Sequence, residues 1–315
     1  MADFGSYSPE DVIAVNLRET AERTCTVWEQ EMAHLRELAE QIITDSIPNA
    51  ELTQTLSDHA PPRFKELFAG MRADPKFCSL LECFRSTEHS VYLCRELGAS
   101  IQRQTSLSAE SFFLETEEIS DTARGRMIYQ RNSYTDSAFL KFAKLLPAPR
   151  ALYAHSFPAV CEEVYNGAAE FCILPVESSA EGQLNSFSRL IDRYGLKIAA
   201  TCDIPATDNL RSTRFALLRR DLVPLSAPDR IKEHFFECAS PLLASPTPAE
   251  LLCAAQLCGL TPVRIDCRSA VDDESAAKHV HYVFRAEDGD LLAFLLYLAM
   301  EAPNCEPNGF YFHID

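Results

Sequence analysis

The chain predicts three successive units: an all-helical head, an α/β middle with a parallel sheet, and a βαββαβ end, making an α+β and α/β multidomain protein of 315 residues. Three observations predict it. Residues 9–46 repeat apolar side chains at helical spacing. From residue 126, short apolar runs alternate with helical patterns. From residue 229, alternating strands bracket two apolar helical stretches. The expected boundaries are 1–104 for the helical head, 105–125 for a polar, acidic linker, 126–224 for the α/β middle and 229–315 for the end.

The head opens with Ser8 as a cap, Pro9 in the first turn, and Glu10 and Asp11 at the positive helix end. Trp28, Met32, Leu35, Ala39 and Ile42 form a seam for packing on other helices. Pro48 ends this helix. A second helical piece is expected over Ala50–Leu56 and further helix over Phe64–Gln104, broken near Asp74-Pro75.

The middle begins with a strand at Arg126–Gln130 and a helix over Ser137–Lys144. Between them, Ser133 and Thr135 have two readings: anion contacts at a helix N-terminus, or helix caps. Ala151–His155 is a strand, and the helix after Ser156 stops at Gly167. Phe171–Val176 is a buried strand. It leads into the polar turn Glu177-Ser178-Ser179, with Gly182, and then a helix from Ser186 to Tyr194. Such a turn is where open α/β sheets bind small ligands. Leu196–Asp203 is the next strand, and Thr213-Arg214-Phe215 lies in the one after it.

In the end unit, Ile231–Cys238 is a strand and Ala249–Cys258 a helix. Val263, Ile265 and Cys267 alternate with Arg264, Asp266 and Arg268 on a half-buried strand. Val280–Arg285, a helix through Leu291 and Leu298, and Phe310, Phe312 and Ile314 complete a ferredoxin-like order.

Composition bounds the partners. A net charge of −17 disfavours nucleic acid and anionic lipid, and 47% hydrophobic residues support real cores. No apolar run reaches the roughly 18 residues of a membrane span, and the start lacks a signal peptide's basic region and apolar core. Twelve cysteines without a Cys-x-x-Cys read as reduced core thiols in a cytoplasmic protein. No P-loop or dinucleotide-binding glycine fingerprint occurs, and no cofactor is expected. His279 and His281 share a strand face near Asp272, Asp273 and Glu274, a poor metal site, so no metal is expected.

The turn and the later strand together resemble the prephenate dehydratase family. Its signature Pro-Ile-Glu-Asn-Ser-x-x-Gly is matched by Pro175, Val176, Glu177, Ser178, Ser179 and Gly182, and its Thr-Arg-Phe by Thr213-Arg214-Phe215. The resemblance covers roughly Met127–Asp221. It implies a lobe of the periplasmic-binding-protein type and conversion of prephenate to phenylpyruvate, carbon dioxide and water in phenylalanine biosynthesis. Thr213 would assist the leaving hydroxyl and Arg214 would position the site. Ser133, Thr135, Glu177, Ser178, Ser179 and Phe215 would line the substrate. The chain departs from the pattern at Ser178, where the family has Asn, and in the loop before Thr135, which lacks glycine and proline. Only Ile204–Ser212 separate the strands where the family inserts a second lobe, so a hairpin is expected and the second lobe is missing.

The end unit is similar in position and order to an ACT domain. Ile265-Asp266-Cys267-Arg268-Ser269 falls at the family's Glu-Ser-Arg-Pro. This implies Asp266 and Arg268 as contacts for a phenylalanine effector, and a homodimer or higher homo-oligomer. The head is similar to a degenerate chorismate mutase module: it offers Arg18, Arg23 and Arg36, and the first lysine is Lys65. Two functions stand: an enzyme of phenylalanine synthesis, or a non-catalytic relative that binds an aromatic ligand or regulates.

Overall fold

The computed structural model describes helical positions between 18 and 40, then residues 86–104, 122–206, 211–228, 231, 233–269, 278–286 and 289–315. Most of the expected head, the linker and the acidic cluster at Asp272–Glu274 lie outside the described residues.

Five elements open the described fold: α1 (Thr87–Gln104), β1 (Arg126–Gln130), α2 (Ser133–Phe142), β2 (Arg150–Ala154) and α3 (Phe157–Tyr165). Next come β3 (Phe171–Ser178), β4 (Gly182–Gln183), α4 (Asn185–Arg193), β5 (Lys197–Pro205) and β6 (Ser212–Arg219). The chain continues through β7 (His234–Pro241), α5 (Pro248–Leu257), β8 (Thr261–Ser269), β9 (Lys278–Arg285), α6 (Leu291–Glu301) and β10 (Glu306–Ile314). The last six elements run strand, helix, strand, strand, helix, strand.

The ten described strands join one mixed sheet in the order β2-β1-β3-β6-β5-β10-β7-β9-β8, with β4 paired to β3. The strands of the two expected units thus share one sheet. The junction is β10, which runs parallel to β5 on one side and antiparallel to β7 on the other. β5 and β6 pair antiparallel along their whole length, closed by the Ala206 N–H donating to the Arg211 carbonyl at 2.7 Å.

The period-2 alternation of the strands sorts side chains to two faces. On one face, Phe215 and Leu217 of β6, Ile173 of β3 and Phe312 and Ile314 of β10 pack with Ala138 and Phe142 of α2. On the other, Cys172, Leu174, Ala216 and Leu218 pack with Val160, Cys161 and Val164 of α3. A sheet covered on both faces explains the continuous apolar run Phe171–Leu174.

The α2 face continues over the C-terminal strands, where Phe310, Phe236 and Tyr282 meet α5 and α6. Helix α6 is buried nearly all round, from Leu291 to Met300. Its outer side is covered by α1, whose Val91, Leu93, Cys94 and Leu97 join the same core. Gly98 makes that crossing close: a β-carbon there would stand 3.4 Å from Leu292. No described helix is long and apolar enough to cross a membrane.

Several boundaries differ from the sequence reading: β3 runs on through Glu177 and Ser178, which that reading places in the turn, β5 spans Lys197–Pro205 and β9 starts at Lys278. Helix α2 starts at Ser133, not Ser137, because Asn132 caps it. The Asn132 side chain accepts from the Tyr134 and Thr135 N–H groups at 3.0 and 2.9 Å. Thr135 completes a capping box by accepting from the Asn132 N–H. Strand β7 runs from His234 to Pro241, rather than from Ile231 to Cys238, because its pairing with β9 extends to Pro241↔His279.

Candidate functional site

Strand register makes the first assembly. Glu177 on β3 stands opposite Arg214 on β6, and Ser178 stands opposite Thr213. Asp203 on β5 flanks Arg214 from the other side. Arg214 sends Nε and Nη2 to the two oxygens of Asp203 at 2.9 and 3.1 Å, and Nη1 to Glu177 at 3.1 Å. A planar fork suits two carboxylates at once. The hydrogen bond to Asp203 leads in raising the Arg214 pKa. Burial pushes the Asp203 carboxyl up, but Arg214, His313 and Lys141 outweigh it and hold it below its ordinary value.

Arg214 faces a cavity of about 380 Å³ bounded by α4 and the C-terminal half of the sheet. The opposite wall carries Arg264 and Arg268 of β8 and Glu237 of β7. Arg264 stands 2.9 Å from Asp266 and 3.9 Å from Glu177. Arg268 stands 3.6 Å from Asp266 and 3.7 Å from Asp192 of α4. The Gln183 amide donates to Asp266 at 3.0 Å and accepts from Ser188 and Arg268. Thus α4 and its preceding turn are tied to β8 by charge.

Burial dominates the titration here. It raises Glu237 against the pull of Arg264 and Arg268, and raises Asp192 against the pull of Arg268. It also lowers His281 to about 3, helped by Arg268, so that imidazole stays neutral. His313 Nδ1 lies 3.1 Å from the Thr201 hydroxyl, and its Nε2 lies 3.6 Å from Asp203. Burial leads in lowering its pKa as well.

The residues expected from sequence fall into two groups. Glu177, Arg214, Asp266 and Arg268 converge on this cleft and its wall. Thr213 shares the face of Phe215, the α2 face, and Ser178 pairs with it there. Both sit at the end of the sheet where β1 and β3 finish and α2 begins. Ser133 is exposed in the first turn of α2, while the Thr135 hydroxyl donates to the Gln130 carbonyl at 2.8 Å. The Ser179 hydroxyl accepts from the Ser212 N–H at 2.9 Å. Phe215 is buried in the core beneath α2. Gly182 takes φ +73° in the turn, a conformation that explains glycine at this place in the motif.

Sequence reasoning missed Asp203, Glu237, Arg264, Tyr311 and His313 as one constellation. One signal was present: Arg264, Asp266 and Arg268 form the polar face of a half-buried strand. Among the described residues, no group of three or more His, Cys, Asp or Glu could hold a metal ion.

Residues 130–221 match the family model described as Prephenate dehydratase. Among solved structures, a prephenate dehydratase from Streptococcus mutans is similar at 18% identity and TM-score 0.47, covering 60% of this chain and 99% of that one. A prephenate dehydratase from Arthrobacter aurescens in complex with L-Phe is similar at 14% identity and TM-score 0.44, covering 59% of this chain and 89% of that one. A structure described as a novel type of quorum quenching acylase is similar at 18% identity and TM-score 0.44, covering 59% and 94%. No curated protein matches the chain.

Proposed function

Taking the chain as the prephenate dehydratase-family protein that residues 130–221 make it, we propose that it converts prephenate to phenylpyruvate, carbon dioxide and water in phenylalanine synthesis. One observation carries this reading. The two signature segments, far apart in sequence, are register partners, Glu177 with Arg214 and Ser178 with Thr213. In the reaction the ring loses its carboxylate as carbon dioxide, and the bond to the ring hydroxyl breaks. That hydroxyl takes a proton and leaves as water. Thr213 is the residue we assign to hydrogen-bond the departing oxygen. Ser133, Ser178 and Ser179 stand at the same end of the sheet for the substrate's polar groups.

Arg214 has a positioning role in this reading. Its charge is already shared between Asp203 and Glu177, so it fixes β6 between β3 and β5 and thereby sets Thr213. Asp266 and Arg268 are assigned to a phenylalanine effector, and the βαββαβ end to an ACT-like regulatory unit of a cytoplasmic homo-oligomer. The helical head is read as a degenerate mutase module. Arg18, Arg23 and Arg36 lie against Glu22, Glu19 and Glu96, which supports structural use.

The antiparallel pairing of β5 with β6 favours a second reading, a non-catalytic aromatic-ligand binder. Positioning and water exclusion supply much of catalysis, and a direct hairpin supplies no facing wall. Phenylpyruvate formation by the purified chain, with Thr213→Val as control, separates the two. Turnover that the variant loses supports the enzyme; turnover absent from both supports the binder.

A further inference from the structure

The hairpin of β3 and β4 carries Ser178 and Ser179, and it is held from two sides. On one side it is tied to β6. The Ser179 N–H donates to the Ser212 carbonyl and the Ser212 N–H donates to the Ser179 hydroxyl, both at 2.9 Å. The other side has little support of its own. Strand β4 is two residues long and pairs with β3 at Glu177↔Gln183 and Ser178↔Gly182. So short a hairpin is marginal alone. Residues 179–182 are exposed. Helix α4 follows at once, and no side chain caps its start.

Gln183 supplies the missing support. Its pairing puts its side chain on the cleft face with Glu177. There its amide nitrogen donates to Asp266 of β8 at 3.0 Å, and its oxygen accepts from the Ser188 hydroxyl at 3.2 Å and from Arg268. Ser188 is buried on α4. Asp266 is fixed by Arg264 at 2.9 Å, and Arg268 by Asp192 at 3.7 Å. One carboxamide therefore joins the hairpin to β8 and α4. A carboxylate could accept there but not donate, and an apolar side chain could do neither. We propose that Gln183 is a positioning residue for the reaction: it clamps the hairpin onto β8 and so holds Ser178 and Ser179 in place beside Thr213. The role rests on the reaction proposed above for what the hairpin does; the clamp itself does not. Asp266 and Arg268 act in it through Gln183 and need no bound effector. A misplacement of about 1 Å at a reacting site costs up to about 10²-fold in rate.

Two measurements on the full chain test this: kcat for phenylpyruvate formation, and hydrogen exchange of the amides of residues 179–185. Gln183→Glu keeps both acceptor contacts but sets a second carboxylate against Asp266. It is expected to lower kcat by about tenfold or more, and to speed exchange over 179–185 while residues 171–175 keep their protection. Adding Asp266→Asn returns a donor opposite the new acceptor and is expected to restore most of both readouts, which a general loss of packing would not allow. The proposal is overturned if Gln183→Glu leaves the kcat of an active chain unchanged, if it leaves the exchange unchanged, or if the double variant is no better than the single one. Should Gln183→Glu fail to fold, Gln183→Met, which adds no charge, takes its place with the same two outcomes expected. An unaltered chain that forms no phenylpyruvate would sink the proposed reaction instead, and exchange alone would then decide the clamp.

Discussion

Thr213 and Arg214 are adjacent in sequence but belong to different places. Thr213 faces α2 at the open end of the sheet, beside Ser178. Arg214 faces α4 and is locked between Asp203 and Glu177 in a cleft that the C-terminal strands complete. One motif thus serves a rim built by a single unit and a cleft built by two. A strand does this by alternation, since each step along it changes face. The lesson is that a contiguous signature need not mark one contiguous site.

The sharpest way to break this comparison is Thr213→Val. If the rim carries the proposed reaction, phenylpyruvate formation should fall by about 10²- to 10⁴-fold, while the urea midpoint stays unchanged. Activity that survives would move the reaction into the cleft. Next is Arg214→Ala, which strands Asp203 and Glu177. Breaking a buried pair costs about 3–5 kcal/mol. The Arg214 side chain is 41% exposed, so screening reduces the expected loss to about 1–3 kcal/mol. Urea denaturation measures it, and a neutral result would remove Arg214 from the structural account.

The pH dependence sharpens the picture further. Asp203 is held below its ordinary 3.8, so its contribution is full above that value and disappears as pH falls through the depressed one. Urea midpoints between pH 6 and pH 2 should fall less in Asp203→Asn than in the parent chain. Glu237 has the opposite sign. Its folded pKa is raised above 4.5, so the native state holds the extra proton and stability drops as pH rises through that window. Glu237→Gln should flatten this smaller slope; an unchanged slope would show that Glu237 ionises without cost.

The order of the last six elements was legible because local patterns carry it. Val263, Ile265 and Cys267 alternate, although it is these that the structure leaves exposed and Arg264, Asp266 and Arg268 that it half-buries, and Leu291 to Met300 is apolar enough to need burial. The sharing of one sheet was not legible. Phe312 and Ile314 read as the close of the C-terminal sheet, yet their side chains complete the core under α2. That choice depends on the free edges of β5 and β7, which no window of sequence shows. The site divides the same way. Glu177 and Arg214 were found through a motif. Asp203 and Glu237 sit singly in strands, and only register and burial give them partners. The all-round apolarity of α6 left open what covers it, and α1 supplies that cover from the far end of the described chain.

The position of β10 also bears on how the molecule comes together. Its slot lies between β5 and β7, and until it is filled both strands present bare edges able to pair with the wrong chain. The strand is distant in sequence from β5, so filling the slot is a slow, late closure that finishes two half-built bodies at once. A β10 donated by a neighbouring copy matches the same slot residue for residue. The strand that fuses the two halves of one molecule is therefore also the natural point of exchange between two.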